Sequence, residues 1–450
     1  MRLLLRNARW VVFALAVGSV GAAQEPLTLR QAIQLALKQN PDADQARAGT
    51  QEAKAGAALA RTQLLPQLSF TEDMSRGNDP VYVFGTKLKQ QRFTMADFEL
   101  NALNRPPPIG NFATRFSGSW MAFDSFRTQK MIHSADLMQA SAATSARAVD
   151  QKIVFDVVQA YQGVLYAERQ LEVAQHELET AQALLSSVDD RVKAGLAVES
   201  DRMSAQVNEA SARQTLIATN GGLDMAWAQL RVAVGAPDLA QSKLQPIEPK
   251  QFSEATLEER FATAAKTRPD LAALGQAQSA QAMAVSAAKL SYGPHVSVYG
   301  NWEDNHSSFT GSGGHSWVAG VQIGIDLLPF AKRAQLAHEV AAKMRVDAQL
   351  NSYQQQVRLQ VSQAHIQLRT AKQSLDTARG AVDQSTESLR ILKNRYGAGL
   401  ATITDLLRGE DAERQAQANY WSAVYGNAVA YAGVLFATGT LTPDAAEELQ

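Results

Sequence analysis

RVKAGLAVESD at residues 191–201 and RYGAGLATITD at residues 395–405 are two versions of one segment. Arg191 aligns with Arg395, Gly195 with Gly399, Leu196 with Leu400 and Asp201 with Asp405, each pair 204 residues apart. The correspondence runs from Ala160/Ala364 to Gly235/Gly439. Upstream, Thr28-Leu29 aligns with Thr256-Leu257, Pro41-Asp42 with Pro269-Asp270 and Pro66 with Pro294, at a spacing of 228. A repeat this long is no solenoid unit, whose period is roughly 20–50 residues. It is a duplicated half-protein, and it divides the chain into 24–250, 251–440 and a tail at 441–450.

The segment before each turn has helical periodicity. Val164, Ala167, Leu171, Ala174, Leu178 and Ala181 step by three and four, as do Leu368, Ala371, Leu375, Ala378, Val382 and Ser385. Such a heptad seam, alternating large and small residues, predicts closely packed coiled-coil hairpins. The helices should run from about Arg127 to Lys193 and from about Lys332 to Asn394. At 1.5 Å per residue each is roughly 90–100 Å long, a length suited to reaching across a compartment. Gly195 and Gly399 are placed to end them in the left-handed conformation. Thr402 and Asp405 fit a capping box for the helix that follows, and the first copy has Val198 in place of Thr402.

After Pro66 and Pro294 the period changes to two. Val296, Val298 and Trp302 alternate with Ser297, Tyr299 and Asn301, and Phe112, Phe116 and Trp120 alternate with Arg115, Ser117 and Ser119. Strands are expected at about 66–75, 112–123, 294–303 and 316–326. One apolar and one polar face suits a membrane barrel, or an amphipathic hairpin on a soluble core. Four strands cannot close a barrel, since even small ones need about eight. Membrane strands therefore require several chains. The first hairpin has the longer tip, with Asn78-Asp79-Pro80 and Pro106-Pro107-Pro108, and both tips are expected as loops outside the membrane. Trp120, Trp302 and Trp317 are candidates for an interfacial aromatic girdle.

Arg2, Arg6 and Arg9, an apolar stretch at 10–20 and Gly21-Ala22-Ala23 read as a cleavable signal peptide at 1–23. The chain has 450 residues and a formal net charge of −1, so it lacks the basic footprint of a nucleic-acid binder. It has no cysteine, which excludes disulfides, thiolate sites and a lipid anchor on cysteine. No P-loop, H-E-x-x-H or G-x-S-x-G motif occurs, so neither an enzyme nor a cofactor is indicated. His306 and His315 flank a Gly/Ser loop and read as solvated rather than as a metal pair.

The duplicated order, LTLRQAIQLALKQNPD at 27–42, LLPQLSF at 64–70 and the paired G-L-A-x-x-x-D turns together resemble the TolC-like outer-membrane efflux proteins. The resemblance implies a mainly α fold with a β-barrel part. Three chains would form a 12-stranded barrel and a periplasmic tunnel of long coiled-coil hairpins. It implies a passive duct of a tripartite efflux or type I secretion system, with a periplasmic adaptor and an inner-membrane RND or ABC pump as partners. Gly195, Leu196, Gly399 and Leu400 match the family's adaptor-contacting turn tips. Tyr396 matches a tyrosine that tethers the closed tip. Asp405, with Asp201 at the equivalent position of the first half, belongs to the constriction. Asp405 matches the first of two constriction aspartates, but the second position is Arg408, which leaves the gate as either an acidic ring or an Asp/Arg network. From the residues alone, a periplasmic adaptor and a secreted coiled-coil scaffold are the rival readings. An adaptor normally has one hairpin, and this chain has two.

Overall fold

The computed structural model describes residues 26–246, 255–309, 311 and 313–447, so the expected signal peptide at 1–23 lies outside the described residues. In the first half, α1 (Leu29–Gln39) and α2 (Pro41–Thr62) lead into β1 (Gln67–Gly77). Two short helices, α3 (Pro80–Lys89) and α4 (Leu100–Asn104), precede β2 (Ile109–Phe123). The long α5 (Arg127–Lys193) and α6 (Glu199–Val234) form a hairpin. The second half repeats this as α7 (Leu257–Thr267), α8 (Pro269–Leu290), β3 (His295–His306), β4 (Gly314–Gly324), α9 (Phe330–Gly397) and α10 (Ile403–Thr438). A short α11 (Pro443–Glu447) follows the fully buried Leu441.

The starts of α1, α7 and α10 have one chemical cause. Thr28, Thr256 and Thr402 each accept the amide of the residue three on, Gln31, Glu259 and Asp405, whose side chain returns to the threonine amide. These reciprocal boxes satisfy donors that a helix start otherwise leaves open.

The four strands form one antiparallel sheet in the order β1-β2-β3-β4. Register puts Phe70, Phe116, Trp302 and Trp317 in one row across it, with ring centroids 5.1 Å apart for Phe70–Phe116 and 5.8 Å for Phe116–Trp302. The next row on that face toward the hairpin tips is polar: Glu72, Thr114, Asp304 and His315. Apolar rows extend toward the helices through Trp120/Val298/Val321 and Phe123/Val296/Ile323. The opposite face carries Ser69, Ser117, Asn301 and Val318, then Thr71, Arg115, Glu303 and Ser316, and is polar but for the valine. An exposed apolar band capped by aromatics, backed by a polar face, is the pattern of a lipid-facing strand with a wet interior. Trp302 and Trp317 sit in the outer aromatic row. Trp120 lies nearer the helices and donates its Nε1–H to the Leu64 carbonyl at 2.9 Å. Among the described residues no helix is long and apolar enough to cross a membrane.

Helices stand side by side below the sheet. Near it the neighbours run α2, α5, α8, α9; farther away they run α6, α5, α10, α9. Small residues recur every seven positions at the contacts: Ala174 and Ala181 on α5, Ala205 and Ala212 on α6, Ala273, Ala280 and Ala287 on α8, all buried. Such spacing keeps one narrow stripe against the neighbour and draws the axes together. Close approach lets Ser134 and Ser141 of α5 donate to the carbonyls of Ala280 and Ala273, both at 2.8 Å.

α5 and α9 run unbroken through both levels, whereas α6 and α10 end where α2 and α8 begin. Gly235 and Gly439 close α6 and α10 with φ of +73° and +74°. A Cβ on Gly235 would lie 2.6 Å from Asn40 Cα, and one on Gly439 2.7 Å from Arg268 Cα. Across these joints Asn40 donates to the Ala233 carbonyl at 2.8 Å, and Arg268 to the Ala437 carbonyl at 3.0 Å. Around the first joint, Leu29, Ile33 and Ala36 of α1 pack on Ile153, Val157 and Tyr161 of α5 and on Trp227 and Leu230 of α6. Gly235→Ala and Gly439→Ala should each lose about 1–2 kcal/mol from the left-handed backbone alone, and more from the clash. Gly195→Ala and Gly399→Ala, whose surroundings are open, should lose only the first part. Thermal unfolding of the four single variants checks this, and equal losses at all four would contradict the close joints.

Candidate functional site

The two turns lie together at the end of the molecule farthest from the sheet. Each ends its long helix by the same bonds. Leu196 N–H donates to the Arg191 carbonyl and Leu400 N–H to the Arg395 carbonyl, both at 2.8 Å, around glycines at φ +73°. In this type of cap the residue after the glycine usually folds back onto the last helical turn. Here Leu196 and Leu400 stay 72% and 70% exposed. The first-half cap lacks a side-chain bond at Val198, as its sequence indicates.

Thr402 and Asp405 form the capping box in full. Thr402 donates to Asp405 Oδ2 from its hydroxyl at 2.7 Å and from its amide at 3.1 Å, and Asp405 N–H returns to Thr402 Oγ1 at 3.2 Å. These bonds, the hydroxyl's first, hold the Asp405 carboxyl below the usual range, and the Arg408 and Arg395 charges act in the same direction. Asp405 and Arg408 are both exposed.

Tyr396 faces the other hairpin. The Arg191 guanidinium lies over its ring, 5.0 Å from the centroid, and reaches the Tyr396 carbonyl at 3.4 Å. Burial pushes the Tyr396 phenol up; Arg191 opposes the shift and Asp201 adds to it. Asp201 thus sits within electrostatic reach of Tyr396. Beneath the turns, Leu184, Val188, Ala205, Ile403 and Leu406 form a small core across both hairpins.

Arg191 is one of several links from α5 to the second hairpin. Arg414 of α10 meets Glu177 at 3.2 Å, and Arg169 lies 4.9 Å from the centre of the Trp421 ring. A groove of about 560 Å³ opens beside them, lined by Glu172, Lys393 and Glu410 among others. Burial raises the carboxyls of Glu177 and Glu410, which Arg414 and Lys393 respectively oppose. These links are not visible as a motif. In the sequence Arg191 stands out only by its alignment with Arg395, and its partner depends on how the hairpins pack. No cluster of three or more His, Asp or Glu side chains suited to a metal occurs among the described residues. His306 instead contacts Asp304 at 3.0 Å.

The profile described as outer membrane efflux protein matches residues 32–236 and 262–440, and this chain belongs to that family. Protein CyaE of Bordetella pertussis is 25% identical over 393 residues, spanning 86% of this chain and 78% of its own. The alkaline protease secretion protein AprF of Pseudomonas aeruginosa is 23% identical over 437 residues, spanning 92% and 85%. In fold the chain is similar to the Campylobacter jejuni CmeC outer membrane channel, with a TM-score of 0.78 at 16% identity over 99% of this chain and 97% of that one. The chain is therefore an outer-membrane channel protein with the TolC-like α-barrel and β-barrel fold.

The lowered Asp405 carboxyl carries a pH signature. Its folded value lies below its unfolded one, so the cap's contribution is complete at neutral pH and is lost as pH falls through the folded value. Amide exchange in the first turn of α10 should quicken on acidification, and Asp405→Asn should flatten that dependence. Thr402→Ala should cost about 1 kcal/mol at neutral pH. Identical exchange profiles for wild type and Asp405→Asn would remove the carboxylate from the cap.

Proposed function

We propose that three copies of this chain close head to tail into a passive export duct, opened at its helical turns when a periplasmic adaptor docks. The observation that carries this reading is the position of the open edges. β1, α2 and α6 lie on one side of the chain and β4 and α9 on the other. A heterologous contact between two such sides generates a ring when the rotation closes. Both sides carry exposed apolar residues: Val207, Ile217 and Val232 on α6, Leu359 and Ile366 on α9. Two copies would give eight strands, a barrel that side chains fill, whereas twelve leave an aqueous bore.

The exposed Leu196 and Leu400 are the apolar knobs on which an adaptor's helical hairpin would seat. Opening separates the second hairpin from α5 by breaking the Arg191–Tyr396, Glu177–Arg414 and Arg169–Trp421 links, while Asp405 and Arg408 line the constriction with Asp201 nearby. In this reading the chain does no chemistry and binds no cofactor. An inner-membrane pump of the RND or ABC type supplies the energy and selects the cargo. The signal peptide at 1–23 directs export, and the helical part extends into the periplasm. The names of AprF, a secretion protein, and of the efflux family support a duct that serves either kind of system.

Detergent-extracted protein should have the mass of three chains and form a channel in planar bilayers. Arg191→Ala, and separately Asp405→Ala with Arg408→Ala, should raise its conductance several-fold. Leu196→Asp with Leu400→Asp should leave the mass and conductance unchanged but abolish transport in cells that supply the adaptor and pump. A monomer, or a trimer whose conductance ignores every tip substitution, would overturn the reading.

A further inference from the structure

The long tip of the first hairpin does not stand out into the medium. It folds back over the polar face of the sheet at its outer rim. Lys89, at the end of α3, donates to Glu303 Oε1 at 2.9 Å, and Arg115 reaches the other oxygen of the same carboxylate at 3.3 Å. Gln90 donates to Asn111 Oδ1 at 2.9 Å and to the His306 carbonyl at 3.1 Å, and Asn111 donates to Asn305 at 2.8 Å. Glu303 and Asn305 are only 6% and 1% exposed, because α3 covers them. Gly314 makes room for this fit, since a Cβ there would lie 2.3 Å from the Lys89 carbonyl oxygen. Register places Glu303, Arg115 and Asn305 on the face opposite the lipid-facing aromatic row. The insert is therefore anchored to the bore side of the sheet.

α3 is two-faced. Val83, Thr86 and Gln90 are buried toward the sheet, while Val81, Phe84 and Leu88, again three and four apart, are exposed on the other side. Phe84 continues through Phe93 to Phe98 in ring contacts of 4.7 and 5.2 Å. Lys87 and Asp97, 2.5 Å apart, tie the later part of the insert back to α3. An apolar ridge thus points from the rim toward the axis of the bore, where water-filled pores present polar groups.

We propose that this ridge docks on the same ridge of two further copies across the pore axis, closing the outer mouth of the duct. The inference rests on the threefold ring proposed above. The dimensions support it. Twelve strands about 4.8 Å apart, tilted about 40°, enclose a backbone diameter of about 24 Å. Three helices about 10 Å across, in mutual contact, occupy a circle of about 22 Å. Inserts pinned to the inner rim have no room to avoid one another, and their meeting surfaces are Val81, Phe84, Leu88 and Phe98. Meeting there removes apolar surface from water. The duct then has two closures of different chemistry, polar and cationic links at the turns and an apolar contact at the mouth.

The native chain has no cysteine, so single thiols report cleanly. Ser119 lies on the polar face of β2, nearer the helices than the insert. In intact cells, Ser119→Cys should react slowly with a bulky, membrane-impermeant maleimide added outside. The reaction should become several-fold faster when Phe84→Asp, Leu88→Asp and Phe98→Asp are added. Leu88→Cys alone should be joined into pairs by a short bifunctional maleimide, which keeps the test decisive if the triple variant fails to reach the membrane. Extracted mass is measured in parallel. A trimer with equal labelling rates in both backgrounds, or with no Leu88→Cys pairs, overturns the mouth closure and leaves the duct standing. A monomer overturns both.

Discussion

A backbone amide without a partner in hydrocarbon costs several kcal/mol, and this chain carries a four-stranded sheet with two open edges. That constraint organises the rest of the molecule. The lipid-facing rows from Val296 to Trp302 commit the sheet to the membrane, and membrane placement forbids leaving β1 and β4 unpaired. The helices below inherit the same geometry, with α2 and α6 under β1 and α9 under β4. In the ring proposed above, a chain built this way is a sector whose free sides meet one another. The duplication makes the sector regular enough to close, because each half contributes one strand pair and one hairpin.

The helical part answers a second requirement, that long helices lie close together without a thick core. Small residues at every seventh position solve it. Ala174, Ala181, Ala205 and Ala212 let backbones approach, and serines on α5 bond across the narrow gap to α8. Apolar cores are confined to the level of the joints and to the turns. Between them the two hairpins are linked by individual side chains, Arg169 over Trp421 and Glu177 with Arg414.

Much of this was readable from local pattern. The change of period after Pro66 and Pro294 located the strands to within a few residues, and the heptads ending at Gly195 and Gly399 located the long helices. Thr402 and Asp405 announced their cap because its partners are three residues apart. What escaped depends on distance in sequence. Arg191 meets Tyr396, Asn40 meets Ala233 and Lys89 meets Glu303 only after the chain has folded, and no spacing records those pairings. The helical insert is a different case. Asp79-Pro80 is an N-cap followed by a first-turn proline, a helix start that the Pro- and Asn-rich surroundings mask as a loop.

Half of the helical pillars in each sector are continuous and half are cut. α5 and α9 run through, while α6 abuts α2 at Gly235 and α10 abuts α8 at Gly439. At each cut the backbone is interrupted, and apolar packing, a few hydrogen bonds and a glycine cross the break instead. In the opening proposed above, twist of the lower hairpins loads the continuous pillars and is taken up at the abutments. The proposed duct is then a shaft with a swivel coupling at mid-height, which turns at its free end while the collar fixed in lipid keeps its bore.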